Sequence, residues 1–119
     1  FVRNFYGSGY TFETNYSKEK NMSYARINMV EFSSAEDAKA SADDYAANAA
    51  AEFPEAEILL SVTTGAESAV VISVYPDKDA FERSAVARAA RLEVNHNKIK
   101  GVEVHEGEVT LCHCNSNCC

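Results

Sequence analysis

The chain has 119 residues, 46% of them hydrophobic and 24% charged, values of one ordinary globular domain rather than of two domains or a disordered tail. Eleven Lys and Arg against eighteen Asp and Glu leave a formal net charge of −7. With no basic run to offset it, that acidity speaks against nucleic acid or an anionic membrane as partner.

Residues 1–21 differ in character from the rest. Phe1, Phe5, Tyr6, Tyr10, Phe12 and Tyr16 are half of all Phe and Tyr, interleaved with Asn, Gly and Ser without a lasting period. They read as an aromatic N-terminal arm, either poorly ordered or packed on a partner subunit. The arm lacks the basic start, apolar run and small-residue cleavage site of a signal peptide, and Met22 stands where a true start could lie. No apolar stretch reaches the roughly 18 residues of a bilayer span, so the expectation is a cytoplasmic domain that does not enter a membrane.

From residue 22 to 112 the pattern is regular. Tyr24 to Phe32 (YARINMVEF) is β-branched, aromatic and apolar, and predicts a strand. Ser33 to Glu36 fits a capping box with Ser33 as N-cap. The alanine-rich segment that follows, with Ala38, Ala42, Tyr45, Ala49 and Phe53 on one stripe, predicts a helix stopped by Pro54. Glu57–Thr63 and Ser68–Tyr75 predict two strands joined by a hairpin over residues 64–67. Pro76 to Asp79 leads into a second helix from Lys78 to Val94, with Phe81, Ala85, Ala89 and Leu92 as its stripe. Val102–Val104 and Val109–Leu111 predict a last strand with a kink at Glu106-Gly107.

The order β-α-β-β-α-β predicts an α+β, ferredoxin-like antiparallel sheet with its helices on one face. Strand one carries Ala25, Ile27 and Met29 on one side and Tyr24, Arg26, Asn28, Val30 and Phe32 on the other; neither side is dominated by charge. A sheet apolar on both faces needs a second cover, and the economical cover is the same face of another copy. A two-fold homodimer is the expectation.

The opening MSYARINMVEF and the stretch VVISVYPDKDAFERS, in this element order, resemble the dimeric α/β barrel superfamily over residues 22–112. That superfamily includes stress-responsive barrel proteins, cofactor-free antibiotic-biosynthesis-type monooxygenases and haem-degrading monooxygenases. The resemblance implies two sheets packed face to face across a dimer, and a helix–sheet cleft in each subunit that takes small apolar molecules. Several oxygenase members carry an Asn on the first strand, which Asn28 matches. They also use an aromatic partner, often Trp, and haem-degraders add an axial His on the second helix. This chain has no Trp, and its stretch Ala89-Ala90-Arg91-Leu92 holds no His.

Candidate site residues follow. Arg26 and Asn28 share a side of strand one; facing the helices, they would orient a carbonyl or stabilise an enolate, or else serve as satisfied structural groups. Tyr45 in the helical stripe suits a cleft wall or plain core. His96, in Asn95-His96-Asn97 at a helix end, suits the helix dipole or a cleft edge. His105, between Glu103 and Glu106, is expected at the surface. The tail 113–119, with Cys112 before it, gathers Cys112, His113, Cys114, Cys118 and Cys119, which could hold Zn or Cu, form disulfides, or stay reduced. Three functions stay open: a cofactor-free monooxygenase-like enzyme acting on a small aromatic molecule, a non-enzymatic small-molecule-binding or stress-response protein, and a metal- or thiol-handling protein.

Overall fold

The computed structural model describes residues 22–115. The aromatic arm 1–21 and residues 116–119, with Cys118 and Cys119, lie outside the described residues. The elements are β1 (Tyr24–Phe32), α1 (Ala35–Glu52), β2 (Ile58–Gly65), β3 (Ser68–Tyr75), α2 (Lys78–Arg83), α3 (Ala85–Asn95) and β4 (Ile99–Glu108). The strands form one antiparallel sheet in the order β2-β3-β1-β4, and the expected α+β, ferredoxin-like arrangement stands. Among the described residues no helix is long and apolar enough to cross a membrane.

Helix α1 starts where its first free N–H groups find an acceptor. Ser34, not Ser33, is the cap: its hydroxyl accepts from the Asp37 N–H at 3.0 Å, and Glu36 and Asp37 complement the helix dipole in the first turn. At the other end the Phe53 N–H closes on the Ala49 carbonyl at 2.8 Å before Pro54 ends the helix. The predicted stripe faces inward, with Ala49 and Phe53 buried and Ala38, Ala42 and Tyr45 half-buried.

The second predicted helix is two helices. Ser84 interrupts it because the Phe81 carbonyl is already occupied. It accepts from the Ser84 N–H at 3.1 Å, the Ser84 hydroxyl at 2.6 Å and Arg88 Nη1 at 2.8 Å. That carbonyl is drawn off the regular helical ladder, and the chain restarts as α3 with a different face inward. Ala85 and Ala89, predicted to face the core, are exposed. Asp77 caps α2 instead, its carboxylate accepting from the Ala80 N–H at 2.8 Å.

Strand β4 is continuous through Glu106-Gly107, contrary to the predicted kink. Glu106 lies opposite Arg26 and Gly107 opposite Ala25, and the Arg26–Glu106 ion pair at 2.6 Å straps the ladder there. The irregularity falls at the strand's start, between Glu31 and Phe32 opposite Gly101 and Ile99, and Val109 and Leu111 lie past the strand's end. The hairpin is tighter than predicted, since β2 runs on to Gly65 and leaves Ala66-Glu67 as the turn. A β-carbon at Gly65 would sit 2.8 Å from Ser68 Oγ, so a larger residue there would have to displace the hydroxyl that accepts from Thr64.

Two aromatic clusters close the helix–sheet layer at its ends. Val30, Phe32 and Ala69 pack with Ala38 and Ile99 at one end; Tyr75, Ala80 and Phe81 pack with Tyr24 and Ala56 at the other. Among the described residues nothing covers the opposite face of the sheet. Ile27, Met29, Leu60 and Val62 share it through the cross-strand register and are 36–49% exposed.

Candidate functional site: a helix–sheet cleft

Between the two aromatic plugs, α1 presents Ala38 and Ala42 to the sheet, and side chains that small leave the layer unfilled. The result is a cleft of about 490 Å³, within the roughly 300–1,000 Å³ usual for small-molecule sites. Its floor is the helix-facing side of the sheet, with Arg26 and Asn28 from β1, Ser61 from β2 and Val71 and Ser73 from β3. Its roof is α1 and the inner face of α3, where Arg88, Arg91, Leu92 and Asn95 recur at helical spacing.

Arg26 and Asn28 do share the helix-facing side and sit on the floor of one cavity. Both carry a polar atom with nothing to bond. Arg26 Nε and Asn28 Oδ1 are buried and have no hydrogen-bond partner among the described residues. A buried polar atom left unsatisfied costs about 1–3 kcal/mol, so two neighbours in this state ask for a ligand or water. One is a donor and the other an acceptor. In this conformation neither is open to solvent; the broad terminal torsion of the Asn28 carboxamide lets it turn outward. Arg26 spends Nη1 on Glu106, which fixes the guanidinium and leaves its Nε edge unspent.

Tyr45 lines the same cleft from α1. Burial pushes its phenol up to about 12, helped by the neighbouring Tyr75 and Glu52 and opposed by Arg91, which stacks 5.8 Å from the ring centroid. At neutral pH Tyr45 is therefore a neutral hydroxyl and no base. Arg91 is held by Asp44 and by Glu52, the latter at 2.7 Å. Burial works against its charge, but those carboxylates more than offset it and keep its pKa raised.

The other predicted candidates lie elsewhere. His96 caps the end of α3, exposed, its Nδ1 3.3 Å from the Glu93 carbonyl, and it does not line the cleft. His105 is at the surface as expected, 2.7 Å from the Glu103 carboxylate on the bare side of the sheet. In the tail, Cys112 is exposed, Cys114 is disulfide-bonded and His113 bonds the Asn115 carboxamide at 3.0 Å. Among the described residues no three His, Cys, Asp or Glu side chains come together as a metal site. Sequence reasoning missed Ser73, Arg88 and Asn95. The inward spacing of Ser73 on β3 was available, but a polar residue on an inner stripe gives no hydrophobic signal, and Arg88 and Asn95 lie beyond the break at Ser84.

No protein-family model matches the chain, and no curated protein matches its sequence. Solved structures do match its fold. A candidate antibiotic biosynthesis monooxygenase from Chloroflexus aurantiacus superposes with a TM-score of 0.64 at 12% identity, over 79% of this chain and 99% of that one. A dimeric ferredoxin-like protein from an uncultured marine organism gives 0.61 at 9% identity, over 82% and 96%. A variant of SnoaB, a cofactor-independent oxygenase from Streptomyces nogalater, gives 0.58 at 21% identity, over 76% and 95%. The chain has the ferredoxin-like fold of antibiotic-biosynthesis-monooxygenase-like proteins, as its element order led us to expect.

Proposed function

We propose that the cleft takes up a small aromatic molecule bearing oxygen substituents and that the chain, as a homodimer, oxygenates it without a cofactor. The observation that carries this reading is the unpartnered pair on the cleft floor, Arg26 Nε and Asn28 Oδ1. A quinol offers the complementary set. One substrate hydroxyl donates to Asn28 Oδ1 once that carboxamide turns outward, while the positive charge of the Arg26 guanidinium in the floor favours the anionic form of the other substrate oxygen, whose proton passes to water. The electron-rich ring carbon then adds O₂. The peroxide collapses with one oxygen retained on carbon and the other leaving as water, so that quinol plus O₂ becomes hydroxyquinone plus water. The substrate supplies every electron. Similarity in fold to a cofactor-independent oxygenase supports this chemistry.

The homodimer is supported by the bare apolar face of the sheet and by the dimeric neighbour of the same fold. A second reading, ligand binding without turnover, draws on the cleft's poverty in bases. Among the described residues its only carboxylate, Asp43, is paired with Lys39 at 3.0 Å, and no imidazole lines it.

The deciding experiment is oxygen uptake with naphthoquinol as probe. Catalysis yields hydroxynaphthoquinone and water, whereas spontaneous oxidation yields naphthoquinone and hydrogen peroxide. Asn28→Ala is expected to cut the hydroxylated product about 10²-fold, the usual cost of losing one aimed polar group. Thermal stabilisation by the probe with no hydroxylated product would replace the enzyme with a binding protein.

A further inference from the structure

The charges around the cleft are unevenly paired: Arg91 meets two carboxylates and Arg88 none. Among the described residues four cations (Arg26, Lys39, Arg88 and Arg91) and one carboxylate, Asp43, line the cleft. Three of the four are neutralised: Arg26 by Glu106, Lys39 by Asp43, and Arg91 by Asp44 and Glu52. Arg88 has no carboxylate partner among the described residues.

Its guanidinium is nevertheless held in place. It lies 4.0 Å from the centroid of the Phe81 ring, and Nη1 donates to the Phe81 carbonyl at 2.8 Å and to the Ser84 hydroxyl. Those two bonds use both hydrogens of Nη1. The Nε and Nη2 edge keeps three N–H groups in a rigid planar fork, with no hydrogen-bond partner among the described residues. That fork matches the two oxygens of a carboxylate.

Resting on the cleft reading above, we infer that the ligand is an organic carboxylate: an aromatic or apolar body with one anionic group seated on Arg88. The body lies over the floor between the aromatic plugs. The one open fork seats one carboxylate, and a phosphate monoester would bring a second negative charge near Asp44 and Glu52 with nothing to meet it. Arg88 reaches the cleft from α3 and Arg26 and Asn28 from β1, so the ligand carries polar atoms toward both layers. Arg88 is a specificity residue here and takes no part in oxygen transfer.

The test is binding of naphthoate, naphthol and naphthyl phosphate to the full chain by calorimetry, the three sharing one ring system. Naphthoate is expected to bind about tenfold more tightly than naphthol, the size of one charge-assisted contact, and more tightly than the phosphate. Arg88→Met, which keeps the apolar stem on Phe81, is expected to erase that preference while naphthol affinity holds, showing an intact cleft. If Arg88→Met fails to fold, Arg88→Lys decides, because losing the fork weakens naphthoate and spares naphthol. Equal affinity for naphthol and naphthoate in the parent chain overturns the inference and leaves the cleft reading standing. So does a preference that survives loss of the fork. A preference for naphthyl phosphate over naphthoate overturns the carboxylate assignment. Failure of all three to bind removes the cleft reading itself.

Discussion

Tyr45 shows how one side chain's surroundings set what it can do. Its phenol is held neutral up to about pH 12 by burial between the helix and Tyr75, so it can donate a hydrogen bond into the cleft but cannot accept a proton at physiological pH. The folded pKa lies above the ordinary 10.0. The associated stability is therefore full below pH 10 and is lost as pH rises from 10 toward 12. Spectrophotometric titration should show the last phenolate step near pH 12 disappearing in Tyr45→Phe, and the fall in urea midpoint across that window becoming shallower. A Tyr45→Phe titration indistinguishable from the parent's would mean that this phenol is open to water. On the floor, Arg26 and Asn28 were legible as a pair because strand residues two apart share a face. Their lack of partners was not legible, since that depends on what the helices bring over them.

At the scale of elements, the cleft exists because α1 is built from alanine where it crosses the sheet. Ala42→Leu should place three further carbons in that space, stabilising the fold by up to about 2 kcal/mol in urea unfolding while weakening naphthol binding. Destabilisation would mean that the helix and sheet already touch there. The alanine stripe was readable from spacing alone, down to Phe53. Helix α3 was not. Extending the stripe from Phe81 at helical period points to Ala85 and Ala89, but the crowded Phe81 carbonyl breaks the ladder at Ser84 and rotates Arg88 and Asn95 inward. Helical periodicity carries no information across such a break. The same limit explains β4, where glycine at 107 suggested a kink and the Arg26–Glu106 pair keeps the strand in register.

For the whole molecule, the sheet is a shared wall. Ile27, Met29, Leu60 and Val62 turn away from the helices toward the bare side, and that much followed from the absence of a charged face in the sequence. Met29→Glu puts a carboxylate in the middle of this surface. Sedimentation should then show the proposed dimer weakened about 10²-fold in dissociation constant, because a charge buried across two copies has no partner. Unchanged sedimentation would overturn the proposal that two copies meet through this face.

The alternation along β1 has an evolutionary corollary. Even-numbered positions from 26 to 32 belong to the cleft and odd-numbered positions from 25 to 29 to the bare side. Neighbouring codons thus answer to different selective pressures. Saturation mutagenesis of this strand, scored separately for ligand capture and for self-association, should give two sensitivity profiles of period two, half a period out of phase. Such a wall lets ligand preference drift while assembly is conserved, and the reverse, within one strand.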